Sequence, residues 1–315
     1  MSDALVTLIP SCEDDYDLHS LSCEEALQRL LAAVQPVADH ERIALRQALG
    51  RVLAEPVTAP FPVPAHTNSA MDGYAIAHRD VPSDGLAELT VVGASFAGKP
   101  YAGTVAPGQA VRIMTGAVMP EGSDTVVMQE QVIVDGEHIS IDSRHKRGQH
   151  VRVAGEDLSP GAVALPAGRR LSPSDLGLIA SLGHGEVAVR RGLRVAFFST
   201  GDELRSVGET LGRGEIYDSN RYTLYGMLTR LGVDIVDLGV VRDDREALSN
   251  AFASAARMAD VVITSGGVSV GEADYTREVL GQLGEVRFWK VAMKPGRPLA
   301  FGRLGNAAFF GLPGN

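Results

Sequence analysis

The chain has 315 residues, 45% of them hydrophobic and 22% charged, with 29 basic against 39 acidic side chains and a formal net charge of -10. That length suggests two or three domains and excludes disorder over the whole chain, because the apolar content can offset the entropy of ordering. The acidity argues against nucleic acid as a partner, since a phosphate backbone calls for a basic face.

No apolar run approaches the roughly 20 residues a membrane helix needs, so no membrane partner is expected. The first residues carry Asp3, Glu13, Asp14, Asp15 and Asp17 and lack the basic start of a secretory signal. Two cysteines, Cys12 and Cys23, cannot staple a chain of this size. A cytoplasmic location is the expectation.

Residues 1–20 are acidic and aperiodic, and read as a frayed tail. Ser22 and Glu25 form a capping box, and Ala26, Leu27, Leu30, Leu31 and Val34 make a helical stripe that ends near Pro36. A second helix is expected over 42–53, stopped by Pro56. Prolines 56, 60, 62 and 64 exclude helix from the next stretch, which runs into Thr67-Asn-Ser-Ala-Met-Asp-Gly-Tyr-Ala75. Short β runs follow at 89–92, 110–114, 125–129, 132–134 and 138–141, the pattern of a small β-rich domain. Runs at 162–165 and 186–189 suggest a second small β unit.

From Leu193 strand and helix alternate. Strands are expected at 194–199, 234–238, 260–264, 287–291, 299–301 and 307–311, and helices at 219–231, 244–257 and 273–283. This alternation predicts βαβ units and a doubly wound, mostly parallel sheet. Ligands of such sheets bind beyond the carboxyl ends of the strands, so chemistry belongs in the loops there.

Those loops are polar. The first carries Ser199-Thr200-Gly-Asp-Glu203, and the third carries Thr264-Ser265-Gly266-Gly267-Val-Ser269. A Gly-Gly pair can be a plain tight turn, but one flanked by hydroxyls at a strand end suits a phosphate or oxyanion held by backbone N–H groups. Lys290, Lys294 and Arg297 cluster around Pro295. In a chain so acidic, these cations suit an anion better than a solvated turn. Glu203, Asp243, Asp244, Glu272 and Asp274 gather in the same loops, able to hold Mg²⁺ or act as general bases, with one of Asp243 and Asp244 serving as a helix cap. No HExxH pair or Walker loop is present. Trp289 reads as strand packing, and Arg144-His-Lys-Arg147 as a solvated loop.

Read in order, these segments resemble the MoeA-type molybdopterin molybdenumtransferases, which include the E domains of gephyrin and the plant Cnx proteins. The resemblance is carried by Asn68–Ala75, Arg112-Ile-Met-Thr115-Gly116, Val126–Glu130, Gly155-Glu-Asp157 and Ser199–Leu204. It continues through Ile216-Tyr-Asp-Ser-Asn220, Thr264–Tyr275, Lys290–Pro298 and Gly311–Asn315.

The resemblance implies insertion of molybdenum from molybdate into adenylylated molybdopterin, with release of AMP in a Mg²⁺-dependent reaction. It implies a MogA-like α/β domain at 192–315, a β-rich lid domain at 60–150, a connecting β domain at 151–191 and N-terminal helices at 21–59. It also implies an elongated homodimer, with Asp72, Thr115 and Arg152 acting across it, and an adenylyltransferase as a further partner.

Carried over by position, Glu203, Asp243, Asp274, Lys290 and Lys294 would be catalytic. Asp72, Thr115, Arg152 and Asp157 would bind substrate. Thr200 would also bind substrate; Ser265, Gly266, Gly267 and Ser269 suit the pyrophosphate, and Lys294, Pro295 and Arg297 the molybdate; Asp274 and Glu203 would hold the Mg²⁺ or orient the attacking oxygen. The family continues past the position of Asn315 into a C-terminal β domain that supplies part of the molybdate pocket. A chain ending there is expected to fold and bind substrate with insertion weakened or lost. The alternatives are an adenylyltransferase-like enzyme, which the TNSAMDGYA segment disfavours, and an impaired dimerisation or scaffold form.

Overall fold

The computed structural model describes residues 20–267, 274–293 and 296–314, apart from the side chains of Asp274, Tyr275 and Arg277. The chain divides into two units, one of residues 40–190 and one of residues 191–315 together with the segment before residue 40.

In the first unit a six-stranded sheet is ordered Thr125–Met128, Gly73–Ile76, Gln109–Ile113, Leu86–Ser95, His138–Asp142, Ile133–Asp135. Neighbours are antiparallel except Leu86–Ser95 with Gln109–Ile113, which is parallel. The period of two sends Tyr74 and Ile76 into one core with Leu89, Val127, Ile139 and Ile141, and Ala75 into another with Ile113 and Val126. Beside it, His40–Ala44 pairs with Glu186–Arg190, and Val57–Thr58 with Val163–Leu165. These strands share a core of Leu53, Leu165, Ile179, Leu182 and Val189.

Two expectations fail here and one element is new. Residues 42–53 form no helix: His40–Ala44 is a strand, followed by a 3₁₀ turn at Leu45–Gln47. Pairing with Glu186–Arg190 satisfies that backbone and sets Ile43 opposite Val187, a tertiary gain that outweighs local helix propensity. A helix at Pro173–Ser181 was not anticipated, although Ser172 and Asp175 cap it reciprocally and Pro173 occupies its first turn. Arg144–Arg147 is also not a solvated loop throughout. The His145 side chain is buried, while Arg144 pairs with Asp142 and Arg147 with Asp124.

The second unit opens with the helix Cys23–Ala33, capped by Ser22 and Glu25 as expected, and Cys23 is an exposed free thiol. The acidic tail and Cys12 lie outside the described residues. The sheet that follows is ordered Asp234–Val241, Arg194–Thr200, Val261–Ser265, Ala307–Leu312, Pro298–Leu304, Gly284–Lys290. Only Pro298–Leu304 runs against the rest, so the sheet is mostly parallel.

It is doubly wound. Ala196 and Phe198 pack with Val262 against Leu248 and Phe252 of helix Arg245–Met258 and Val279 and Leu280 of helix Asp274–Leu283. Val195 and Phe197 face the other way, onto Leu228 and Leu224 of helix Ser219–Leu231. Burial on both faces is why Arg194–Thr200 reads as a nearly unbroken apolar run. Trp289 packs on Phe301, as strand packing requires. Among the described residues no helix is long and apolar enough to cross a membrane.

The cap at Pro173–Ser181 generates a pH prediction. The Arg169 guanidinium foremost, then the backbone N–H and hydroxyl of Ser172, lower the Asp175 carboxyl from 3.8 to about 2. A depressed carboxylate stabilises the fold above its unfolded pKa and ceases to do so as pH falls through the folded one. Asp175→Asn is expected to lower the urea midpoint at pH 7. It should also flatten the loss of stability that the parent chain shows between about pH 4 and pH 2. Urea titrations of both proteins across that window check it.

Candidate functional site

The winding order decides where a ligand fits. From Arg194–Thr200 the chain crosses through helix Ser219–Leu231 to the neighbour on one side, Asp234–Val241. It then returns through helix Arg245–Met258 to the neighbour on the other side, Val261–Ser265. The connections leave the carboxyl edge in opposite directions there, and a crevice opens between them. It holds a cavity of about 360 Å³.

Thr200, Glu203, Asp243, Ser265, Gly266 and Gly267 all line this cavity, so sequence-expected residues from three loops meet there. Their positions are built from the backbone outward. Gly266 and Gly267 have φ of 95° and 69°, in the left-handed region. A Cβ on Gly266 would lie 2.3 Å from the Thr200 carbonyl oxygen, and one on Gly267 would lie 2.9 Å from Thr200 Cγ2. Only glycine allows the two strand ends to approach this closely. The Gly266 N–H donates to the Leu312 carbonyl at 2.9 Å, tying in the third parallel strand.

Asp244 caps helix Arg245–Met258 by accepting from the Ala247 N–H at 2.9 Å, and Asp243 faces the cavity instead. Its Oδ1 accepts from the Thr200 hydroxyl at 3.3 Å, and its own N–H donates to Asp202 Oδ1 at 3.3 Å.

Sequence reasoning gave no role to several further lining residues. Asn220 Nδ2 donates to Ser265 Oγ at 3.1 Å and to the Gly314 carbonyl at 2.8 Å, clamping the glycine loop to the end of the last strand. Asp218 and Thr276 are buried in the wall, with exposures of 3% and 2%. The Ile216-Tyr-Asp-Ser-Asn220 motif contained the signal for the first two; Thr276 had none.

Lys290 and Arg297 are not among the lining residues. Lys290 ends the outermost strand, three strands from Val261–Ser265, or about 14 Å at the usual inter-strand spacing. Its carbonyl accepts from the Leu21 N–H, and that of Arg297 from the Val291 N–H, both at 2.8 Å. Both residues still belong to the carboxyl edge of the sheet. Lys294, Pro295, Ser269 and the Asp274 side chain lie outside the described residues, although Asp274 opens its helix.

The remaining expected residues sit on the residue 40–190 unit. Asn68–Ser69 is its hub, pairing with Val151–Arg152 on one side. On the other side Ser69 exchanges hydrogen bonds with Gly116 and Ala117. Asp72 Oδ1 accepts from both the N–H and the hydroxyl of Thr115, each at 2.7 Å. Those bonds, the backbone one foremost, hold the Asp72 carboxyl below its usual range. Arg152 donates to Glu156 at 2.5 Å and to Asp157 at 2.6 Å.

A glycine comparison tests the close approach. Gly208 has nearly the same φ as Gly266, 97°, but open space where its Cβ would go. Gly208→Ala should cost only the roughly 1–3 kcal/mol of a strained backbone. Gly266→Ala should cost clearly more, because the Thr200 carbonyl must also move. Denaturant unfolding of both variants measures the difference.

Comparison with known proteins divides the chain near residue 190. Residues 21–183 match the MoeA N-terminal region (domain I and II), and residues 196–315 match a probable molybdopterin binding domain. A molybdopterin molybdenumtransferase of Haemophilus influenzae is 46% identical over 94% of this chain and 73% of its own length. One of Bacillus subtilis is 35% identical over 93% and 70%. The crystal structure of a molybdopterin biosynthesis MoeA protein from Pyrococcus horikoshii OT3 superposes with a TM-score of 0.79 at 29% identity, covering 94% of this chain and 74% of that one. The chain belongs to the MoeA family of molybdopterin molybdenumtransferases.

Proposed function

We propose that this protein inserts molybdenum from molybdate into adenylylated molybdopterin and releases AMP. The carrying observation is the carboxyl-edge cavity, where Glu203 and Asp243 stand beside the hydroxyls of Thr200 and Ser265 and the backbone of Gly266 and Gly267. In this reading the glycine loop and the two hydroxyls hold the pyrophosphate that joins pterin to adenosine. Glu203 or Asp243 accepts a proton from the oxygen that attacks the anhydride. Lys290 and Arg297, at the outer strands of the same edge, draw molybdate toward it, together with Lys294 and Pro295. Asp274 and Ser269 complete the loop.

Mg²⁺ suits this donor set. Among the described residues no three carboxylate or imidazole groups gather into a metal cage. Mg²⁺ needs none, since it keeps waters and phosphate oxygens and takes one or two carboxylates from protein. Glu203, with Asp274 or Asp243, would hold it, and when bound it would neutralise charge building on the anhydride.

We further propose the division into a lid domain at 60–150, a connecting domain at 151–191 and an α/β domain from 192, in a cytoplasmic homodimer supplied by an adenylyltransferase. Asp72 with Thr115, and Arg152 with Asp157, would reach substrate on the partner copy. The match of residues 21–183 to the MoeA N-terminal region favours the insertase over an adenylyltransferase reading.

The test is AMP release from purified adenylylated molybdopterin, with and without molybdate and Mg²⁺. Release should require both, and Glu203→Gln should slow it by about 10²–10⁴. Release indifferent to molybdate would overturn the reading. Mixing inactive Asp72→Ala with inactive Glu203→Gln at equal amounts should restore about a quarter of the parent rate, because half the dimers then carry one intact composite site. Failure to restore activity would remove the exchange between copies.

A further inference from the structure

Asp218 has a divided carboxylate. Oδ1 caps helix Ser219–Leu231 by accepting from the Arg221 N–H at 3.1 Å. Among the described residues Oδ2 is buried without any hydrogen-bond partner. The residue is 3% exposed, yet it forms part of the cavity wall. The Arg221 side chain feels the Asp218 charge but makes no hydrogen bond to Oδ2; its Nε donates to the two oxygens of Asp237 at 2.8 Å and 2.9 Å. A buried carboxylate oxygen with no donor is costly in the empty fold, and native structures retain such a group where something else supplies the donor.

The surroundings limit what that donor is. An ionised carboxylate only accepts, so the ligand brings an N–H or O–H. Ile216 and Tyr217, the residues just before Asp218, line the same cavity, as do Leu204 and Pro298. They offer apolar surface suited to the face of a flat ring. The described lining residues include no lysine or arginine, so a phosphate fits only beside the glycine loop and the Mg²⁺ proposed at Glu203, and the side of the cavity at Asp218 is left to an uncharged ring.

We infer that Asp218 is the specificity-determining residue for a planar nitrogen heterocycle bearing an exocyclic amino group, whose N–H it accepts at Oδ2. The inference rests on the reading proposed above, in which both the adenine of the adenylyl group and the pterin have this chemistry. It goes beyond that reading by assigning the ring to one oxygen of one residue.

Asp218→Asn separates the two duties of this side chain. Asparagine caps a helix as well as aspartate, so its oxygen stays with the Arg221 N–H. Its Nδ2 then takes the place of Oδ2 and meets the amino group donor to donor. Isothermal titration would compare two ligand pairs, each with and without the amino group. One pair is AMP and purine riboside 5′-monophosphate; the other is 2-aminopteridin-4-one and pteridin-4-one.

The parent chain should prefer the amino member of one pair by at least tenfold, and that pair names the ring being read. In Asp218→Asn the preference should fall to about one, with an unchanged melting temperature. Equal affinity within both pairs for the parent chain, no binding of any of the four, or a preference that survives in Asp218→Asn would each overturn the inference. Glu203→Gln keeps the two proposals apart, because it should slow AMP release by about 10²–10⁴ and leave the amino preference intact. Amino discrimination lost in Asp218→Asn, in a chain that never releases AMP, would refute the insertase and keep the ring reader.

Discussion

The contact between the Thr200 carbonyl and the Cα of Gly266 governs the rest of the site. Both residues sit at the carboxyl ends of adjacent parallel strands, with Ser199 in register with Ser265. A side chain at Gly266 would force these ends apart. Because none is present, the glycine loop turns directly over Thr200. The Gly266 N–H reaches Leu312, and Asn220 spans from Ser265 to Gly314. The cavity is thus a consequence of strand ends brought together, and each lining side chain inherits its place from a strand or helix terminus.

The electrostatics divide along the same edge. The wall of the cavity carries carboxylates, while Lys290 and Arg297 belong to the outer strands. A donor-rich ring and a metal-bridged phosphate suit the acidic centre, and a free oxyanion suits the outer rim. The net charge of the chain alone could not show this, since it says nothing about which strand a residue terminates. Strand order does, and strand order is the property least visible in a sequence.

What could be read depended on whether the physics was local. The α/β half was legible because strands buried on both faces leave apolar runs, helices keep their period, and caps such as Ser22 with Glu25 announce themselves. Residues 42–53 misled because their helical composition yields to a partner strand more than a hundred residues away. The Pro173–Ser181 helix carries a readable cap, but the glycines and prolines around it mask its period. In the site, Thr200, Glu203, Asp243 and the glycine pair stood out by type and by position after a strand. Asn220 and Asp218 stood out only as part of the Ile216–Asn220 motif, since each alone looks like an ordinary residue at a helix start. Their importance lies in one long-range pair of bonds and one missing bond.

That missing bond separates Asp218 from Asp72, Arg152 and Asp243. Asp72 is satisfied by Thr115, and Arg152 by Glu156 and Asp157. Asp243 is anchored by Thr200 and Asp202. Such groups are held in place before any ligand arrives, which suits positioning. A buried oxygen with nothing to accept has the opposite character: its free energy improves only when a matching donor enters, and by more for the right ligand than for an analogue lacking that donor. Residues preorganised by the protein can serve the chemistry common to any anhydride, whereas in the inference drawn above discrimination between rings falls to Oδ2 of Asp218.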